Sequence, residues 1–207
     1  ETRTTFWFLL ASAVFRDGLG GVFAFGAVIA ATVFGFEFQE LVIFGIAANV
    51  VAGIATIVFG RMDENKGSRA VIVLSLTLMI AAGLIIFFAH CGIDLGPLHM
   101  DPKTLFWVFG LILCIFVGPT QSASRTYLAR IAPPREEGEL FGLYATTGRA
   151  VSFLAPFMYA TAITLAATIT DQPKTEVAYF GILGIVIVLI VGLLAFLPVR
   201  AQQKVEK

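Results

Sequence analysis

The chain has 207 residues, of which 58% are hydrophobic and only 14% are charged. Soluble domains carry roughly 45–50% apolar and about 25% charged residues, so one soluble core of this size could not bury so much apolar surface. The formal net charge is zero, and it therefore gives no sign of a nucleic-acid partner or of a strongly acidic one. The composition indicates a protein whose solvent is the lipid bilayer.

Six stretches are long and apolar enough to cross a bilayer as helices, which takes roughly 20 residues because the hydrocarbon offers no water to the backbone. They cover residues 6–36, 41–59, 70–89, 105–123, 140–169 and 177–197. The first stretch is too long for one upright span, yet it is too short for two. We expect a single long or tilted helix there, with the glycine-rich residues 17–21 as a candidate bend.

The positions of the basic residues predict how the six spans are oriented in the membrane. With the N-terminus inside, ten Lys and Arg residues fall in inside segments and two in outside loops, a bias that follows the positive-inside rule. The inside set is Arg3, Arg61, Lys66, Arg69, Arg125, Arg130, Arg135, Arg200, Lys204 and Lys207, and the outside set is Lys103 and Lys174. We therefore expect a multi-pass protein of the cell (inner or plasma) membrane with both termini in the cytoplasm.

The connection between the second and third spans reads GRMDENKGSR. Its spacing resembles the signature loop of the major facilitator superfamily, with Gly60, an acid at Glu64, then Gly67 and the basic Arg69. Glu64 stands where that family usually has Asp, and Asp63 immediately precedes it. An ordinary short hairpin rich in glycine and charge is the alternative. The resemblance implies that the acids act as a cytoplasmic latch against the other half of a carrier.

A second resemblance covers residues 118–156 and the RDG of the first span. Both are similar to the branch of autophagy-linked vacuolar amino-acid effluxers and their bacterial relatives, and the likeness extends over essentially the whole chain. It implies an all-α fold, one half of a twelve-helix carrier that works by alternating access with solute near the midplane. The first residues look like an excerpt from a longer chain, so we expect its C-terminal half; a complete small protein that dimerises is the alternative.

Polar residues inside the spans are candidates for the solute or coupling pathway, because such groups are costly in lipid unless they face a cavity or a partner. Gly118 and Pro119 predict a kink in the fourth span. Gln121 and Arg125 follow it at helical spacing, which makes one face of that segment polar. Interface snorkelling is the alternative for Arg125.

Three other spans carry further candidates. Arg16 and Asp17 are adjacent and therefore point in different directions. Asp17 is either a proton-coupling or amine-binding carboxylate, or a structural partner of Arg125 or Arg149. Arg149 is either a gate residue or an interface residue. Asn49 lies on a small-residue face of the second span, where close helix packing competes with a cavity role.

We therefore predict a secondary active transporter for a small polar solute, with an amino acid as the first guess and proton coupling left open. Its expected partners are the bilayer, the N-terminal six-helix half or a homodimer mate, and the solute. No catalytic motif, cofactor or metal site is expected. A non-transporting structural or assembly subunit with the same fold is the alternative function.

Overall fold

A computed structural model describes residues 2–88, 90–95, 98–133 and 135–199. In these ranges the chain forms eight α-helices and one β-hairpin. The helices are α1 (Thr2–Thr32), α2 (Phe38–Lys66), α3 (Ser68–Phe88), α4 (Pro102–Ile115), α5 (Val117–Ile131), α6 (Glu137–Ala150), α7 (Leu154–Thr170) and α8 (Phe180–Phe196), and the strands are β1 (Ile93–Leu95) and β2 (Leu98–Met100). Three residues of the predicted inside set, Arg200, Lys204 and Lys207, lie outside the described ranges.

The helices confirm an all-α, multi-spanning fold. Five helical segments are long and apolar enough to cross a membrane, and two of them are the broken pairs α4 with α5 and α6 with α7. The sixth pass, α8, has 17 residues, about 26 Å of helix. Large apolar side chains remain exposed along the outside of the bundle, for example Ile57 at 74% and Ile169 at 82%, as expected of a surface that faces lipid.

The first two helices end differently from the predicted spans. The chain leaves α1 through Gly35, whose φ of +64° is the left-handed region that glycine tolerates. A capping box then starts α2, because the side chain of Glu40 accepts from the backbone N–H of Glu37 at 2.8 Å. At its other end α2 continues to Lys66. Most of the predicted signature loop is therefore helical, and the turn is confined to Gly67, with φ +82°.

Helix α8 packs between α1, α3 and α7, and small residues let the backbones approach closely. A Cβ on Gly192 would lie 2.8 Å from the backbone nitrogen of Phe15 on α1, and one on Gly184 would lie 2.7 Å from the carbonyl carbon of Met158 on α7. Glycine is needed at both places because membrane helices associate through close van der Waals packing.

An aromatic cluster joins α1, α5 and α8. The ring centroid of Tyr127 lies 4.6 Å from that of Phe8 and 5.6 Å from that of Phe196. All three side chains are fully buried. The cluster fixes the relative positions of the helices whose polar side chains meet next to it.

The two ends of the bundle differ in their connections. One end, the signature-loop end, holds the turn between α2 and α3 and the connection between α5 and α6. The hairpin end holds the β-hairpin between α3 and α4.

Candidate functional site

Two of the passes are broken, and each break lies just before a proline. Helix α4 ends at Ile115 and α5 begins at Val117. A proline ring clashes with the carbonyl four residues earlier, which for Pro119 is the carbonyl of Ile115. The predicted kink in the fourth span is therefore confirmed. The second break, at residues 151–153, was not predicted from the sequence; there Pro156 acts in the same way on the connection between α6 and α7.

The second break gives Asp17 its partner. The α7 helix starts part-way along this pass, after the break, so the backbone N–H of Ala155 has no acceptor within the helix. The carboxylate of Asp17, on α1, accepts a hydrogen bond from the backbone N–H of Ala155 at 2.5 Å. Asp17 therefore meets a helix N-terminus, whose dipole also favours a carboxylate, and in the described residues it forms no ion pair with Arg125 or Arg149.

Arg16 is held flat against α6. Its Nη1 donates to the backbone carbonyl of Tyr144 at 2.9 Å, and its Cζ lies 3.7 Å from the centroid of the Tyr144 ring. Gly148, one turn further along α6, leaves room for the guanidinium, since a Cβ there would lie 2.9 Å from Nη2. The hydroxyl of Tyr144 is in turn 2.8 Å from the hydroxyl of Ser124 on α5. Three helices thus determine where Arg16 points.

These groups line a polar cavity of about 250 Å³ between α1, α5 and α6. Four of the six predicted pathway residues meet there. The lining consists of Arg16, Asp17, Gly20, Gln121, Arg125, Tyr144, Gly148 and Ser152. Gln121 and Arg125 are exposed in this chain. Among the residues that the structure describes, neither Arg16 nor Arg125 forms an ion pair.

The remaining two predicted pathway residues lie elsewhere. Asn49 borders a different cavity, of about 120 Å³ and almost wholly apolar, and its amide donates to the carbonyl of Gly45 on its own helix at 2.8 Å. Arg149 is exposed and does not line the polar cavity. Sequence reasoning missed Tyr144 and Gly148. Their four-residue spacing on a helix that carries Arg149 was the available signal.

The signature-loop end contains a second polar group. Asp63 is 7% exposed. Its Oδ1 accepts from Ser68 Oγ and from Arg130 Nη1, each at 2.7 Å, and Arg130 also donates to Ser68 at 2.8 Å. Glu64, the expected acid of the signature pattern, is exposed instead. The network therefore ties α2 and α3 to α5 through Asp63 within this chain.

Two other residues of the signature pattern, Gly67 and Arg69, make contacts at the same end of the bundle. Gly67 makes the turn, and its backbone N–H donates to the carbonyl of Asp63 at 2.9 Å. Arg69 reaches the chain beyond α8 and donates to the carbonyl of Leu197 at 2.6 Å. Gly60 has open space around its Cα, so close packing gives no reason for a glycine there.

The hairpin end is closed by a different ion pair. Lys103 Nζ lies 2.7 Å from Glu40 Oε2, which links α4 to α2. Asp101 caps α4, and the hydroxyl of Thr104 together with its backbone N–H lowers the pKa of the Asp101 carboxyl. In the described residues no cluster of three or more His, Cys, Asp or Glu side chains could hold a metal ion.

The fold and the site together define a class: a multi-pass helical membrane protein with broken helices around a charged cavity, the architecture of solute carriers. The chain belongs to the family described as vacuole effluxer Atg22 like, whose model matches residues 1–207. The expected membership of the major facilitator superfamily, in its vacuolar-effluxer branch, is thereby confirmed.

Two relatives illustrate the range of this family. The chain is 25% identical over 209 residues to an uncharacterized MFS-type transporter, YxiO, of Bacillus subtilis, covering 100% of this chain and 44% of that protein. It is 23% identical to autophagy-related protein 22 of Cryptococcus neoformans, covering 97% of this chain and 34% of that protein. The chain thus spans less than half the length of these relatives. No solved structure matches.

Proposed function

We propose that the chain is the C-terminal six-helix half of a secondary carrier, which moves a small polar solute across the membrane by alternating access. One observation supports this most: Arg16, Asp17, Gln121 and Arg125, from two different spans, line one cavity inside a membrane-spanning bundle. Such groups are expensive in lipid and mark solute or ion pathways. The exposed Gln121 and Arg125 would face the N-terminal half, or a second copy, across the cavity.

An amino acid is the first candidate solute. The support is the family description as an effluxer and the mixed charge of the cavity, with two guanidinium groups and one carboxylate. The test is uptake of a radiolabelled amino-acid mixture into proteoliposomes that contain the purified full-length protein. Uptake no faster than in empty liposomes would favour a structural or assembly subunit.

Proton coupling is the second part of the proposal, and Asp17 is its candidate carboxylate. Protonation would weaken the hydrogen bond to the N-terminus of α7, so the charge of Asp17 could be linked to movement of α7 against α1. Asn can still accept from Ala155 N–H, since Asn and Asp cap helices about equally well. The Asp17→Asn variant should therefore fold and exchange solute, but lose pH-driven accumulation.

Asp171→Asn is the matched control for that experiment. Asp171 is exposed, lies at the end of α7 and has φ +54°, a conformation that Asn tolerates. It should keep both exchange and accumulation. Full accumulation in Asp17→Asn would remove Asp17 from coupling, whereas loss of exchange together with thermal stability would make its role structural.

We also propose that the signature-loop end is cytoplasmic and that the protein resides in the plasma membrane. The native Cys91, exposed at the hairpin end, reports on this directly. A membrane-impermeant maleimide should label it in intact cells. A cysteine placed at the exposed Asn65, in a Cys91→Ser background, should react only after the membrane is opened. Labelling of both positions from the same side would contradict the topology.

A further inference from the structure

The polar cavity carries more positive than negative charge, and one oxygen of its one carboxylate already accepts a hydrogen bond. Arg16 and Arg125 both line it, and in the part of the chain described here neither is paired with an acid. Asp17 is turned to the N-terminus of α7, where it accepts from Ala155 N–H at 2.5 Å. A cation excess in a membrane interior is unfavourable until an anion compensates it.

Arg16 is also positioned in advance of any ligand. Its contact with the ring and carbonyl of Tyr144 uses one face and one of its five N–H donors, which leaves other donors free. The absence of a Cβ at Gly148 leaves room for the guanidinium in this position. A planar, fixed guanidinium matches the two oxygens of a carboxylate and loses little freedom when it binds.

We propose that Arg16 and Arg125 together bind a single carboxylate group of the solute. This rests on the proposed function and narrows it: the solute is recognised by its acid end. With Asp17 ionised, the two guanidinium groups leave an excess of one positive charge. A carboxylate group places one negative charge beside the two guanidinium groups, and the ammonium of an amino acid then lies away from them. A phosphate dianion would place two negative charges there.

The test measures occupancy without transport. The purified full-length protein in detergent is treated with p-hydroxyphenylglyoxal, and modification of individual arginines is read by peptide mass spectrometry. The added probes are a mixture of neutral amino acids, the same mixture as C-terminal amides, the corresponding acids without the amine, and inorganic phosphate. Arg61, exposed at the signature-loop end, is the internal control.

Both carboxylate mixtures should slow modification of Arg125 several-fold, and the amides should have no effect. Arg61 should react at the same rate throughout. In the Arg16→Gln variant the concentration needed for protection should rise at least about tenfold, the effect of losing one charge-assisted contact. In the Arg61→Gln variant the concentration needed for protection should not change.

Protection by the amides, stronger protection by phosphate than by carboxylates, or no protection by any probe would overturn the carboxylate site. The outcome is separable from that of the transport proposal. Protection without uptake into proteoliposomes would leave the site standing and remove the carrier function. Uptake without protection would support the carrier function and overturn the carboxylate site.

Discussion

The Asp63 network makes a quantitative prediction, because two adjacent acids, one buried and one exposed, can be compared directly. Asp63 accepts two hydrogen bonds at 2.7 Å, and its partner Arg130 is itself only 28% exposed. A hydrogen bond to a charged group contributes about 1.5–3 kcal/mol and a neutral one about 0.5–1.5 kcal/mol. Asp63→Asn keeps an acceptor but loses the charge, so it should lower the free energy of unfolding by about 1–2 kcal/mol.

Asp63→Ala should cost more, because it leaves the partly buried Arg130 without a partner. Removing one member of a fully buried pair costs about 3–5 kcal/mol. The residual exposure of Arg130 reduces this to about 2–3 kcal/mol. For a chain of this size 1 kcal/mol corresponds to roughly 2–4 °C in Tm. The Asn variant should therefore melt about 4 °C lower and the Ala variant about 8 °C lower.

The chain contains a suitable reporter for this measurement. Cys114 is 5% exposed, so we expect its thiol to react faster once the bundle opens. In a Cys91→Ser background, a thiol-reactive fluorophore therefore follows unfolding during a temperature ramp. Glu64→Gln, the matched control, should leave Tm unchanged. An equal or larger loss in Glu64→Gln, or strictly additive losses in an Asp63→Ala and Arg130→Ala double-mutant cycle, would refute the assignment of the network to Asp63.

Two further predictions concern glycines. Gly118→Ala should destabilise the protein by about 1–3 kcal/mol, because the new Cβ would lie 2.8 Å from a backbone carbonyl of α2. Gly45→Ala is the control and should not destabilise the protein, because the space around Gly45 is open. Thermal melts of the two variants test this difference. Gly148→Ala should leave Tm nearly unchanged but weaken solute uptake, because only the flexible tip of Arg16 must move away. Gly142→Ala on the same helix should retain uptake; equal loss in both variants would contradict this role of Gly148.

Hydrophobic length and composition were sufficient to predict the architecture. A run of some 20 apolar residues can satisfy its backbone in lipid only as a helix, so the class of fold follows from the sequence. Helix ends were less predictable. The second span was expected to end at residue 59, yet α2 continues to Lys66, because the polar residues after Gly60 remain compatible with a helix once they reach the membrane surface.

The sequence was sufficient to predict which residues belong to the candidate site, but not which contacts they make. An ionisable residue inside a span is informative by itself, which is why Arg16, Asp17, Gln121 and Arg125 could be selected. Their partners depend on how separate helices are rotated against each other. Nothing in the order of residues indicates that Arg16 contacts Tyr144, 128 positions away. The sequence also does not indicate which of the two adjacent acids is buried, and the structure shows that it is Asp63 and not Glu64.

The two prolines connect these observations physically. An intact helix satisfies its own backbone groups and offers a neighbour only side chains, but a helix broken in the membrane exposes N–H groups that must find acceptors. The break before Pro156 creates such a donor at Ala155, and Asp17 meets it from α1. That contact engages one oxygen of the carboxylate, and the guanidinium groups of Arg16 and Arg125 still outnumber this single acid in the cavity lining. Proline placement on one pass thus determines how a carboxylate on another pass is held at the edge of the cavity.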